Sequence, residues 1–147
     1  MLKIGAIPLF WVVGPLAALL SARHRLVGFA LYSVISINGL VHTAAAILTG
    51  QPYNPGLLTA LLLFLPLTVW VGYAFFGKDR LSYKAMALLL VWGVLLHVFL
   101  IVPMLMFTRG IISATVLVWS QVINGGLLLV VMWLAERWLG PVRALSN

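Results

Sequence analysis

Inside its apolar stretches this chain has few groups able to do chemistry, and they are two histidines and some carboxamides. His42 follows Asn38 by four residues, which puts amide and imidazole on one helix face, a turn apart. His97 stands in a second apolar stretch, and Gln121 and Asn124, three apart in a third, also share a face. A neutral imidazole can accept a hydrogen bond, ligate a metal or move a proton. Ionisable groups inside a membrane are costly enough to mark candidate functional sites. Two imidazoles, His42 and His97, on facing helices would suit axial ligation of one haem iron, or one metal ion completed by solvent. The plainer alternative is helix glue, in which Asn, Gln and His hydrogen-bond between helices for about 1 kcal/mol each.

The residue types that are missing narrow the chemistry further. Asp79 and Glu136 are the only carboxylates, and both fall at the ends of apolar stretches. With no carboxylate beside the histidines, a di-iron carboxylate site and a carboxylate proton relay are disfavoured. The chain has no cysteine, so thiol, disulfide and iron–sulfur chemistry do not arise. Asn38 can orient His42 as a base, but no flanking serine is evident to serve as nucleophile. His24 lies between Arg23 and Arg25 in a loop and is expected to be solvated.

The elements that carry these residues are membrane spans. A chain 64% hydrophobic and 7% charged, with mean hydropathy +1.17, has too little charge to cover a soluble domain. Apolar runs of about 20 residues match the roughly 30 Å hydrocarbon core at about 1.5 Å per residue. The pattern predicts an all-α polytopic membrane protein, one transmembrane domain over 1–147 with five spans at about 4–22, 26–49, 55–77, 82–107 and 110–139. Pro8 and Gly14-Pro15 should kink the first span, and no small-x-small cleavage site marks it as a removable signal. Pro55 suits the first turn of the third, and Gly140-Pro141 should stop the fifth.

In a soluble chain, a net charge of +7 would suggest nucleic acid or anionic lipid. Here the charges fall in short loops and report orientation, so no nucleic acid is expected. Arg23, Arg25, Lys78, Arg80, Lys84, Arg137 and Arg143 fall on one side, against Lys3 and Arg109 on the other. That asymmetry predicts an outside N-terminus and a cytoplasmic C-terminus in a bacterial inner (plasma) membrane. Trp133, Trp138, Tyr73 and Tyr83 then sit toward the cytoplasmic interface and Tyr53 toward the outer one. By residue count His42 lies about 10 Å and His97 about 15 Å from the outer ends of their helices.

A faint repeat links the two histidines. Asn38-Gly-Leu-Val-His42 parallels Gly93-Val-Leu-Leu-His97, and Gly56-Leu-Leu-Thr59-Ala60 parallels Gly110-Ile-Ile-Ser113-Ala114. Spans two and three would then correspond to four and five as a parallel repeat.

The run Asn38-x-x-x-His42, then Tyr53-x-Pro55-Gly56-Leu57-x-Thr59-Ala60-Leu61-Leu62-Leu63 and Leu65-Pro66-Leu67, resembles the HXXEE-domain family of small bacterial membrane proteins. The resemblance covers residues 26–71. The His-x-x-Glu-Glu signature of an earlier helix is absent, since the first span offers Trp11-Val12-Val13-Gly14-Pro15 in its place. Of that family's polar positions only Asn38 and His42 carry over. The resemblance implies a related fold more than a shared activity.

These readings lead to an outward-facing intramembrane pocket built on Asn38, His42 and His97, with Gln121 and Asn124 as polar companions. It would bind a small molecule, a lipid head group or a metal. The alternative is a non-catalytic accessory subunit, a homo-oligomer or part of a larger membrane complex, with membrane lipid as its other partner. A third is a membrane enzyme acting on a lipid or isoprenoid substrate.

Overall fold

Long uncharged runs leave a backbone in lipid one local way to pair every N–H and C=O, and that way is helix. A computed structural model of the chain describes residues 6–51, 54–78 and 80–139, with side chains from 11 onward. Lys3, Tyr53, Asp79, Gly140-Pro141 and Arg143, to which the sequence assigns anchoring, orienting or terminating roles, lie outside the described residues.

The described residues form five helices. These are α1 (Ala6–Ser21), α2 (Arg25–Thr49, interrupted at Phe29), α3 (Leu57–Phe75), α4 (Tyr83–Thr108) and α5 (Ala114–Leu139). Among them α2 to α5 are long and apolar enough to cross a membrane, whereas α1 has 16 residues. Helix α1 continues through Pro15. Within α3 the stretch Ala60–Phe64 is a π-helical turn, placed just before Pro66. In an α pattern the Pro66 ring would strike the carbonyl of Leu62 and leave it without a donor. A widened turn is a common way for a helix to absorb such a misfit.

Two compact units divide the chain. One holds α1, the start of α2 to Leu31, α4 from Leu95, and α5; the other runs from Tyr32 to Val94. Both boundaries cut helices, and neither falls between α3 and α4, where the repeat would place it.

In the first unit α1 and the start of α2 pack on α5 through Val13, Ala17, Leu26, Val27, Leu128, Met132 and Ala135, all buried. The carboxylate of Glu136 on α5 accepts from the backbone N–H groups of Arg25 and Leu26, both at 3.2 Å. These are unpaired donors of the first turn of α2, so Glu136 caps that helix against its positive dipole end.

In the second unit α2 and α3 are joined by short polar side chains. The Tyr32 hydroxyl donates to the Thr68 carbonyl (3.1 Å), and the Ser36 hydroxyl to the Tyr32 carbonyl (2.7 Å). The Thr68 hydroxyl reaches the Phe64 carbonyl (2.7 Å) and Ser36 Oγ (3.0 Å). Small and hydroxylated residues at such contacts let membrane helices approach closely. The first half of α4 comes nearest α2 at Gly93, where an added Cβ would stand 2.5 Å from the Ser33 carbonyl oxygen.

A candidate site at the turn between α2 and α3

Asn54-Pro55-Gly56-Leu57 is a type II turn. Leu57 N–H donates to the Asn54 carbonyl at 3.0 Å, and Gly56 has φ 100° and ψ −13°. Pro55 pre-sets the first central position, and only glycine enters the second without strain. Pro55 therefore does not open α3, as its position in the sequence suggests; the helix starts after the turn, at Leu57.

The turn holds His42. Asn54 Nδ2 donates to the His42 carbonyl at 3.0 Å, and Asn54 Oδ1 faces His42 Nδ1 at 2.8 Å. A carbonyl can only accept, so the amide nitrogen must be the atom turned toward it, and Oδ1 the one turned toward the ring. Nδ1 is then the donor of the pair, and in a neutral ring Nε2 keeps its lone pair. Against the ring lies the backbone of Gly56, where an added Cβ would stand 2.8 Å from Cε1 and 2.9 Å from Nε2. Among the described residues no hydrogen-bond partner occupies Nε2. His42 is half-buried, and α2 runs on two turns beyond it to Thr49.

Asn38, expected to orient the imidazole, is half-buried one turn away and makes no hydrogen bond to it; Asn54 has that role. The sequence signal for Asn54 was present in Asn-Pro-Gly, whose first residue commonly turns its side chain back on the chain. What spacing alone does not give is the contact across twelve residues.

The remaining expected residues lie in the other unit. His97 is buried on α4. Gln121 is buried, and its amide lies 3.4 Å from the Ser120 hydroxyl. Asn124 Nδ2 donates to the Leu96 carbonyl at 3.2 Å, tying α5 to α4, while its Oδ1 is buried with no partner among the described residues. The two repeat-like turns do share a left-handed glycine, with φ 100° at Gly56 and 71° at Gly110. The likeness stops there, because no described atom lies within 4 Å of a Cβ built on Gly110. Among the described residues no three His, Asp or Glu side chains gather as a metal site.

His24 keeps the loop position expected of it but gains a carboxylate neighbour. Its side chain is 35% exposed, with Nδ1 3.9 Å from Glu136 Oε2. Its neighbours Arg25 and Leu26 are drawn onto α5 by the Glu136 cap, and His24 follows them.

By length and composition these helices are those of a multi-pass membrane protein, with its best-defined polar site at the α2–α3 turn. Residues 2–71 match the model of a family described as a protein of unknown function with HXXEE motif, which makes this chain similar to that family over α1, α2 and most of α3. The match begins well before residue 26, where the resemblance in the sequence starts, although His-x-x-Glu-Glu occurs nowhere in the chain. No curated protein and no solved structure matches the chain. His42, Asn54 and Gly56 lie inside the matched region, and His97, Gln121 and Asn124 outside it.

Proposed function

We propose that this protein is an inner-membrane binding protein that takes a small polar molecule or lipid head group at His42, through the lone pair of Nε2. The observation that carries the reading is the paired contact of Asn54 with the His42 ring and carbonyl, at 2.8 and 3.0 Å. It holds the imidazole in one orientation and one tautomer, with its acceptor nitrogen left for a hydroxyl or ammonium donor, or for a metal ion. Asn54 is a neutral amide, so it orients the ring without stabilising an imidazolium as a carboxylate would. The pair is therefore better suited to binding than to proton abstraction. His97 is the second candidate ligand-binding residue, and Asn38 flanks His42 on its own helix.

The experiment is purification of the full chain beside His42→Leu and His97→Leu. Bound molecules are read by mass spectrometry, metal by elemental analysis and haem by absorption. The expected result is a species retained by the parent and lost from His42→Leu. Equal retention in all three proteins would overturn the reading.

A second reading, an accessory subunit, is favoured by one observation. Tyr32, Ser36 and Thr68 use their hydroxyls, and Asn124 its amide nitrogen, in contacts between or within helices. It expects a larger complex or a homo-oligomer that carries no retained ligand.

A further inference from the structure

The first unit contains a groove of about 300 Å³ lined by Leu20, His24, Val27, Leu129, Val130 and Trp133. Four of these six are aliphatic and form an apolar trough. His24 and Trp133 supply its polar groups, and the Arg137 guanidinium lies 3.8 Å over the Trp133 ring. Arg23 and Arg25 flank His24 in sequence, so three arginines lie on the segments that border the groove. Its one described carboxylate, Glu136, accepts from the Arg25 and Leu26 backbone and lies 3.9 Å from His24 Nδ1, one negative charge against three arginines. The local balance is positive.

We infer that this groove binds an anionic phospholipid, one acyl chain lying in the trough and the phosphate at the His24–Arg137 end. A soluble anion would have no use for four aliphatic side chains, and a zwitterionic lipid would gain little from the excess of arginines. Tryptophan at such a boundary is typical of a membrane interface, and basic pockets between helices on the cytoplasmic side suit acidic head groups. The inference rests on the membrane-spanning reading and is independent of His42.

The test uses the full chain in detergent micelles, titrated with brominated phosphatidylglycerol or brominated phosphatidylcholine. Tryptophan quenching in the parent minus that in Trp133→Phe isolates the groove. Phosphatidylglycerol should quench at about one fifth the mole fraction that phosphatidylcholine needs, the effect of one basic side chain at an anionic surface. Arg137→Gln should remove that preference and Arg137→Lys retain most of it. Arg137 is exposed, so neither variant threatens folding. Val130→Phe, which fills the trough without adding a tryptophan, should abolish the Trp133 share of the quenching by either lipid while circular dichroism stays that of the parent. Equal quenching by the two lipids, or an unchanged preference in Arg137→Gln, would overturn the proposal. So would displacement of the lipid by inorganic phosphate, which would mark a plain anion site.

Discussion

Gly93→Ala is expected to destabilise the protein by about 3 kcal/mol, at the upper end of what overpacking a well-filled interior costs. The added methyl would stand 2.5 Å from the Ser33 carbonyl oxygen and 2.8 Å from Ile37 Cγ1. Ile37 can change rotamer. The Ser33 carbonyl belongs to the α2 backbone and cannot move without displacing that helix, whose Ser33 and Ser36 side chains are fully buried. Thermal unfolding in detergent, followed by helical circular dichroism, measures the effect. The matched control is Gly126→Ala on α5, where no described atom lies within 4 Å of the new Cβ. There the better helix propensity of alanine should be neutral or stabilising by up to about 1 kcal/mol. Equal behaviour of the two variants would mean that α4 does not approach α2 at Gly93.

Gly56→Ala should combine a backbone penalty with loss of the site. Holding a non-glycine residue at φ 100° costs roughly 1–3 kcal/mol. The new Cβ would also stand 2.8 Å from His42 Cε1, so the ring must swing away or the turn must open. Either response breaks the contact with Asn54. The expected outcome is a lowered melting temperature together with loss of whatever the parent protein retains at His42. Asn54→Leu separates the two effects. It removes both hydrogen bonds, worth about 1 kcal/mol each, while leaving Gly56 unstrained. If Gly56→Ala kept full ligand retention, the turn would not be what holds His42.

How much of this was legible in the residues depends on whether the determinant is local. Helices α2 to α4 begin and end within two residues of the expected apolar runs, because apolar length and loop residues are local signals. The start of α3 shifted from Pro55 to Leu57 because Pro55 and Gly56 together satisfy a type II turn, which competes with the first helical turn for the same proline. His42 stands out in the sequence as an imidazole in an apolar helix. Its partner was not, because Asn38 on the same helix face competes with Asn54 and spacing favours the nearer residue.

The contacts of Glu136 lie about 110 residues away along the chain, at Arg25 and Leu26, and no pattern in one sequence announces them. His24 stays in its loop and partly exposed, as flanking arginines imply, while the long-range cap brings that loop onto α5 and the ring within 3.9 Å of Glu136. The faint repeat aligns Gly56 with Gly110, and both are left-handed, but so are Gly50 and Gly77, and of the aligned pair only Gly56 has a histidine against it.

The most direct test of the central claim is the protonation pattern of the His42 ring, read by ¹⁵N magnetic resonance on the full chain, with His42→Leu used to assign the signal. The account predicts a proton on Nδ1 and a bare Nε2, and loss of that fixed pattern in Asn54→Leu. A proton on Nε2 with Nδ1 bare in the parent protein would contradict it, because Asn54 would then not be orienting the ring and the nitrogen offered for binding would be a donor.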